Sequence, residues 1–148
     1  MQRQFLSVFV SVAALGLAAI SPATAQTPLH APQVQFIPKG QAPQPPQGLQ
    51  LGCVKISNNG APTSDTCPVV KFQGVTTWIY SYNDNRMSFA LVSYDESGKL
   101  LRTVEKQGAR YIFDALPSER TNTVVLVGQA QKTVSLPWDA FGPTPAKK

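Results

Sequence analysis

The sequence predicts an all-β protein: a single small antiparallel β meander, closed as a sandwich or a barrel, behind a signal peptide and a Pro/Gln-rich linker. Three observations carry that reading. Runs of β-branched and aromatic residues recur between short clusters of Asn, Asp, Gly and Ser, the alternation that strands and tight turns produce. No window places apolar residues at the spacing of an amphipathic helix. Successive runs are joined by connections too short for a crossover, so neighbouring strands must run antiparallel.

Residues 1–25 have the physics of an export signal. Arg3 precedes an apolar run over residues 5–20, Pro22 ends it, and Ala23-Thr24-Ala25 supplies the small-x-small pattern of a cleavage site. A membrane span is the competing reading. The cleavage pattern and the polar sequence beyond it favour removal before Gln26, which leaves no transmembrane segment and an exported protein, periplasmic or extracellular. No cysteine adjoins the cleavage site, so a lipid anchor is not expected.

Residues 26–48 read as a flexible linker. Pro28, Pro32, Pro38, Pro43, Pro45 and Pro46 are interleaved with glutamines, and proline removes backbone donors while favouring extended polyproline geometry. Val34-Gln35-Phe36-Ile37 is the one apolar island in it and is suited to dock as an edge strand. The single histidine, His30, also lies here.

The β domain is expected over residues 49–142. Cys53 and Cys67 flank a polar, turn-forming stretch around Asn58-Asn59-Gly60. In an oxidising compartment they should pair as a structural disulfide, because a redox or metal role needs C-x-x-C spacing or further ligands. Closing so short a loop stabilises by about 3 kcal/mol on the chain-entropy account. Residues 75–82 follow as a strand of β-branched and aromatic side chains. Asn83-Asp84-Asn85 turns the chain into a second strand at 87–94. Asp95-Glu96-Ser97-Gly98 is a hairpin signal, with Gly98 suited to positive φ. The chain returns over 100–105, turns at Gln107-Gly108, and is expected to run as a strand over 110–116 until Pro117.

Residues 123–128 and 132–136 make a last hairpin around Gln129-Ala130-Gln131. The 87–94 and 123–128 strands carry apolar groups on both faces and should be covered twice. Val134 and Leu136 alternate with Thr133 and Ser135, so that strand has one wet face. After Pro137, Trp138-Asp139-Ala140-Phe141 reads as an apolar plug folding back over the end of the sheet. Tyr94, Tyr111, Phe113 and Trp138 are read as core or edge packing. Residues 143–148 form a basic tail ending in Lys147 and Lys148.

The 148 residues hold 13 Lys+Arg against 8 Asp+Glu, a net charge of +5. The positive charges are spread singly rather than in runs, and an exported protein seldom meets nucleic acid, so no nucleic-acid partner is expected. Serine- or cysteine-based catalysis needs a histidine base within the folded part, and His30 sits outside it. Zinc catalysis fails for the same reason. Carboxylate pairs are available among Asp84, Asp95, Glu96, Glu105, Asp114, Glu119 and Asp139, but most fall at turns or exposed strand positions. Asp114 lies in an apolar run and is expected to share a strand face with Arg110 and pair with an arginine. No catalytic residue, cofactor or metal ligand is therefore assigned. Asn83-Asp84-Asn85 offers hard oxygens but lacks the spaced acids of a calcium loop.

The suggestive constellation is an aromatic row and the turn after it. Trp78, Tyr80 and Tyr82 have period-2 spacing and share one face of a strand. Rings on an exposed face stack sugars, while Asn83, Asp84, Asn85 and Arg86 would hold the hydroxyls; a buried core row is the competing reading. The sequence thus points to a non-enzymatic exported binding module that recognises a glycan or another envelope component, an envelope protein included. The alternative is a protein-interaction or inhibitor domain acting through loops 83–86 and 117–122.

Overall fold

The computed structural model describes residues 31–53, 55–56, 62–64 and 66–143. The export signal, His30, the Asn58-Asn59-Gly60 turn and residues 144–148 lie outside the described residues. The strands are β1 (Gln33–Pro38), β2 (Leu49–Leu51), β3 (Lys55–Ile56), β4 (Pro62–Ser64), β5 (Thr66–Phe72), β6 (Val75–Tyr82), β7 (Ser88–Tyr94), β8 (Leu100–Gln107), β9 (Asp114–Ser118), β10 (Thr123–Val127) and β11 (Thr133–Pro137). Short 3-10 turns are the helical segments among the described residues.

The order β1-β5-β6-β7-β8 makes one antiparallel sheet, and β2 joins it on β6. The first half of β6 pairs with β5, Val75 opposite Phe72 and Trp78 opposite Val69. Its second half pairs with β2, Tyr80 opposite Leu51 and Tyr82 opposite Leu49. A second sheet, β9-β10-β11, packs against one face of the first. Between them lie Val70, Phe72, Ile79, Phe89, Leu91, Ile112, Ala115, Val124, Leu126 and Leu136. The architecture is therefore an all-β sandwich, and the barrel alternative is not the one formed.

The strand at 75–82 forms with the expected bounds, and the 87–94 strand is buried on both faces from Ser88 through Ser93. Thr77 and Ser93 sit in this core with their hydroxyls 2.9 Å apart, so each polar group has a partner. The plug also forms. Phe141 is fully buried, Trp138 meets Phe72 edge-on at 6.0 Å, and the Trp138 indole donates to the Thr123 carbonyl. The Arg102 guanidinium donates to the carbonyls of Ala140, Gly142 and Pro143, which latches the plug to β8.

Three expectations are corrected. Residues 110–113 are not strand: the chain is crossing between sheets there, and its backbone makes isolated bonds instead of a ladder, the Phe113 N–H donating to the Val127 carbonyl at the end of β10. Tyr111 N–H donates to Ser81 Oγ, Arg110 carbonyl accepts from Gln129, and Tyr111 adopts a φ of 52°. Asp114 consequently opens β9 rather than sharing a face with Arg110, and its carboxylate accepts from the Ala115 N–H. Finally, β10 is buried on one side only, because Val125 and Val127 face outward beside Leu116, itself 50% exposed.

The described part of the Pro/Gln-rich segment is folded onto the sheet. Its apolar island becomes β1, paired with β5 from Gln33 opposite Lys71 to Pro38 opposite Thr66. The edge strand expected of this island is therefore present, and by its contacts the chain from Ala31 onward clusters as one compact unit. Edge position is what lets a strand flanked by prolines join a sheet.

Candidate binding surface

Alternation along β6 sends Val75, Thr77, Ile79 and Ser81 toward the three-stranded sheet, and Thr76, Trp78, Tyr80 and Tyr82 to the opposite, outer face. The expected aromatic row therefore exists. It does not stand free. Trp78 is 5% exposed and Tyr80 1% exposed, in a second cluster with Leu49, Val69, Ala90, Val92 and both cysteines. Only Tyr82, at the rim, is half-buried.

Two devices bury this face. The first is the disulfide between Cys53 and Cys67, whose Cα atoms are 5.0 Å apart and whose side chains are fully buried. The second is a strap, residues 39–48, linking β1 to β2. Ala42 packs on the cluster, and the Tyr80 hydroxyl donates to the Pro43 carbonyl at 3.2 Å. Burial, with the Tyr94 phenol close by, pushes the Tyr80 phenol well above its ordinary value. Gly52 brings the chain after β2 so close to Ser81 and Tyr111 that a Cβ there would overlap both side chains.

The exposed end of the row continues into the turn that follows. Arg86 donates from Nε to both carboxylate oxygens of Asp84 at 2.9 Å, and its Nη2 lies 2.7 Å from Oδ2. The same guanidinium reaches Glu105 at 3.5 Å and lies over the Tyr82 ring at 4.3 Å. Hydrogen bonding to Arg86 holds the Asp84 carboxyl below the usual carboxylate range. Burial, reinforced by the negative charge of Glu105, raises the Tyr82 phenol. Asn83 and Asn85 are exposed, and the Asn83 N–H is tied to the Gly48 carbonyl. A second arginine–tyrosine stack, Arg110 over the Tyr111 ring at 4.2 Å, stands on the crossing segment.

The structure thus brings together Tyr82, Asp84 and Arg86 from the expected set and adds Glu105, while it withdraws Trp78 and Tyr80 from the surface. Glu105 could have been found from pairing, since β8 lies two strands from β6 with Glu105 opposite Ala90 and Ala90 opposite Tyr80. That requires a register the residues alone do not supply. Both oxygens of Asp84 are engaged by Arg86, and among the described residues no three His, Cys, Asp or Glu side chains gather as a metal site.

The two loops of the alternative reading sit at opposite ends of the sandwich. The 117–122 loop adjoins the plug, where Trp138 N–H donates to the Asn122 carbonyl and the indole meets Phe72. Phe72 is opposite the first residue of β6, whereas the 83–86 turn follows its last. Among the described residues, no helix is long and apolar enough to cross a membrane. No protein-family model matches the chain, and searches of curated proteins and of solved structures found no match either.

Proposed function

We propose that the chain is an exported, non-enzymatic binding module whose contact surface is the rim formed by Tyr82, Asn83, Asp84, Asn85 and Arg86, with Glu105 beside it. One observation carries this reading: Arg86 is held at once by Asp84, Glu105 and the Tyr82 ring. An arginine fixed in this way presents donors in a set direction before any ligand arrives, which lowers the ordering cost of binding. Tyrosine and arginine are also the side chains that dominate contact energies at protein interfaces.

Of the ligands considered, an envelope protein is favoured over a glycan. A sugar platform needs open ring faces, and Trp78 and Tyr80 are covered while Arg86 occupies one face of Tyr82. Export follows from the signal-like residues 1–25, and the Cys53–Cys67 disulfide fits an oxidising compartment. The test is capture from envelope and culture fractions by the purified protein and by a Tyr82→Ala/Arg86→Ala variant. Loss of a specific captured species with the variant is the expected result, and equal capture by both overturns the assignment. N-terminal sequencing of the exported protein should begin at Gln26.

A further inference from the structure

The outer aromatic face is already occupied by a peptide, and that peptide belongs to the chain itself. The segment Ala-Pro-Gln-Pro-Pro, residues 42–46, is neither helix nor strand and meets the face at Ala42 and Pro43; Ala42 has φ −72°, ψ 147°, and Pro38, at the end of β1, φ −57°, ψ 141°. These are polyproline II angles. Among the described residues, the backbone bonds of the strap are those of its two end turns, Ala42 N–H to Lys39 and Leu49 N–H to Pro46, together with the Asn83 N–H donated to Gly48. Contact with the face comes through Ala42 and through the Tyr80 hydroxyl on the Pro43 carbonyl. No strap residue is itself buried, although the strap helps to bury Tyr80.

The chemistry of the face matches its occupant. The inner face of the same strands is lined by Val70, Phe72, Ile79, Phe89 and Leu91, with no ring hydroxyl among them. The outer face carries Trp78, Tyr80, Tyr82 and Tyr94. Aromatic side chains with a polar tip serve where an apolar body must pack and a donor must remain available. Grooves lined by aromatic rings are how proline-rich extended peptides are recognised, since such peptides pack on rings and leave their carbonyls unbonded, open to a tyrosine hydroxyl or an indole N–H.

We propose that this face is a binding site for proline-rich extended peptide, with residues 39–48 as its built-in, exchangeable occupant. The ends of the strap are fixed by β1 and β2, so it can lift off the face while both strands stay paired. A proline-rich segment of another protein then takes the place of residues 42–46, and the Tyr80 hydroxyl donates to its carbonyl instead. This site adjoins the Tyr82–Arg86 rim and shares Tyr82 with it, but its test is read at Trp78, Tyr80, Ala90 and Val92, which the rim contact does not use.

The test is titration of isotope-labelled protein with a synthetic peptide of residues 38–48, following the backbone amide signals. Two proteins are compared, the unaltered chain and a Pro43→Gly/Pro45→Gly/Pro46→Gly variant. Replacing three prolines makes the strap a more flexible competitor, so the variant should bind the peptide about tenfold more tightly or better. Shifts should centre on Trp78, Tyr80, Ala90 and Val92, and Tyr80→Phe in the variant background should weaken binding. A peptide whose prolines are all replaced by glycine should not bind. Should the triple variant fail to fold, millimolar peptide should still move the same amides in the unaltered chain. Absence of shifts at those amides in every folded protein tested, or shifts centred elsewhere, overturns the proposal.

Discussion

The six-stranded sheet has two covered faces, and they are covered by different means. The inner face meets a second sheet whose own strands are paired, and Phe141 and Trp138 close its end. The outer face meets a strap whose residues are half-buried or exposed, held to it by the Tyr80–Pro43 hydrogen bond, with the Cys53–Cys67 disulfide covering the same face beside it. The same strands β5, β6 and β7 line both faces. The difference teaches that burial of a side chain says little about permanence. Phe89 and Tyr80 are almost equally hidden, yet Phe89 lies between two sheets, while the Tyr80 hydroxyl is covered by a strap of about ten residues with few backbone bonds.

This contrast breaks most visibly at the plug. Phe141→Ala should cost about 3–5 kcal/mol in urea unfolding, because a fully buried ring leaves a cavity between two rigid sheets. Trp138→Ala should cost less, since its indole is half-buried and one hydrogen bond is lost. If Phe141→Ala leaves the unfolding midpoint unchanged, the plug does not belong to the inner core.

Next in size is the disulfide. A Cys53→Ser/Cys67→Ser protein should lose about 3 kcal/mol, since the cross-link restrains a loop of sequence separation 14 in the unfolded chain. Protease cutting should rise in the strap before it rises in β9, β10 or β11. Equal rises throughout would erase the distinction between the faces.

Smaller again is Tyr80→Phe, which removes one hydrogen bond and should cost about 1 kcal/mol. Its signature lies at high pH. The folded state holds the Tyr80 phenol above its ordinary value of 10.0, so its contribution is complete below pH 10 and is lost as pH rises beyond that, where the unfolded chain ionises first. The alkaline fall in stability should therefore flatten in Tyr80→Phe. An identical alkaline limb in both proteins would contradict the buried phenol.

The smallest effect belongs to the rim. Asp84 and Arg86 are exposed, so Asp84→Asn should leave the thermal midpoint at neutral pH unchanged. The Asp84 carboxyl is held below its ordinary 3.8, so whatever it contributes is present above that value and disappears only as pH falls below it. A measurable loss of stability at pH 7 would mean that the rim supports the fold as well as presenting a surface.

The sheet strands were legible because their side chains state a period. β6 and β7 are dense in β-branched and aromatic residues and end at Asn, Asp and Ser clusters, so local chemistry alone sets their limits. The plug was legible for a related reason: Trp138 and Phe141 follow a proline in an otherwise polar tail. Residues 110–113 misled because Tyr111, Ile112 and Phe113 have strand propensity while their conformation is set by partners distant in sequence, Ser81 and Gln129. The strap was illegible for the opposite reason. Proline and glutamine spacing excludes a ladder and so suggests a free linker, but an extended segment without internal bonds can still lie on a face of rings. What the sequence reads correctly is the shared face of Trp78, Tyr80 and Tyr82. What it does not contain is the cover, which depends on the placement of β1 and β2.

Native-state hydrogen exchange tests the contrast between the faces most directly. The amides of Ala42, Leu49 and Asn83, which hold the strap and its ends, should open locally. Their exchange should be faster than that of Ile79 and Leu91 in the sheet centre and nearly insensitive to low denaturant, because little surface is exposed. If instead those amides exchange only through global unfolding, with the same free energy as Leu91, the strap is as permanent as the inner sheet. The outer face would then be core alone.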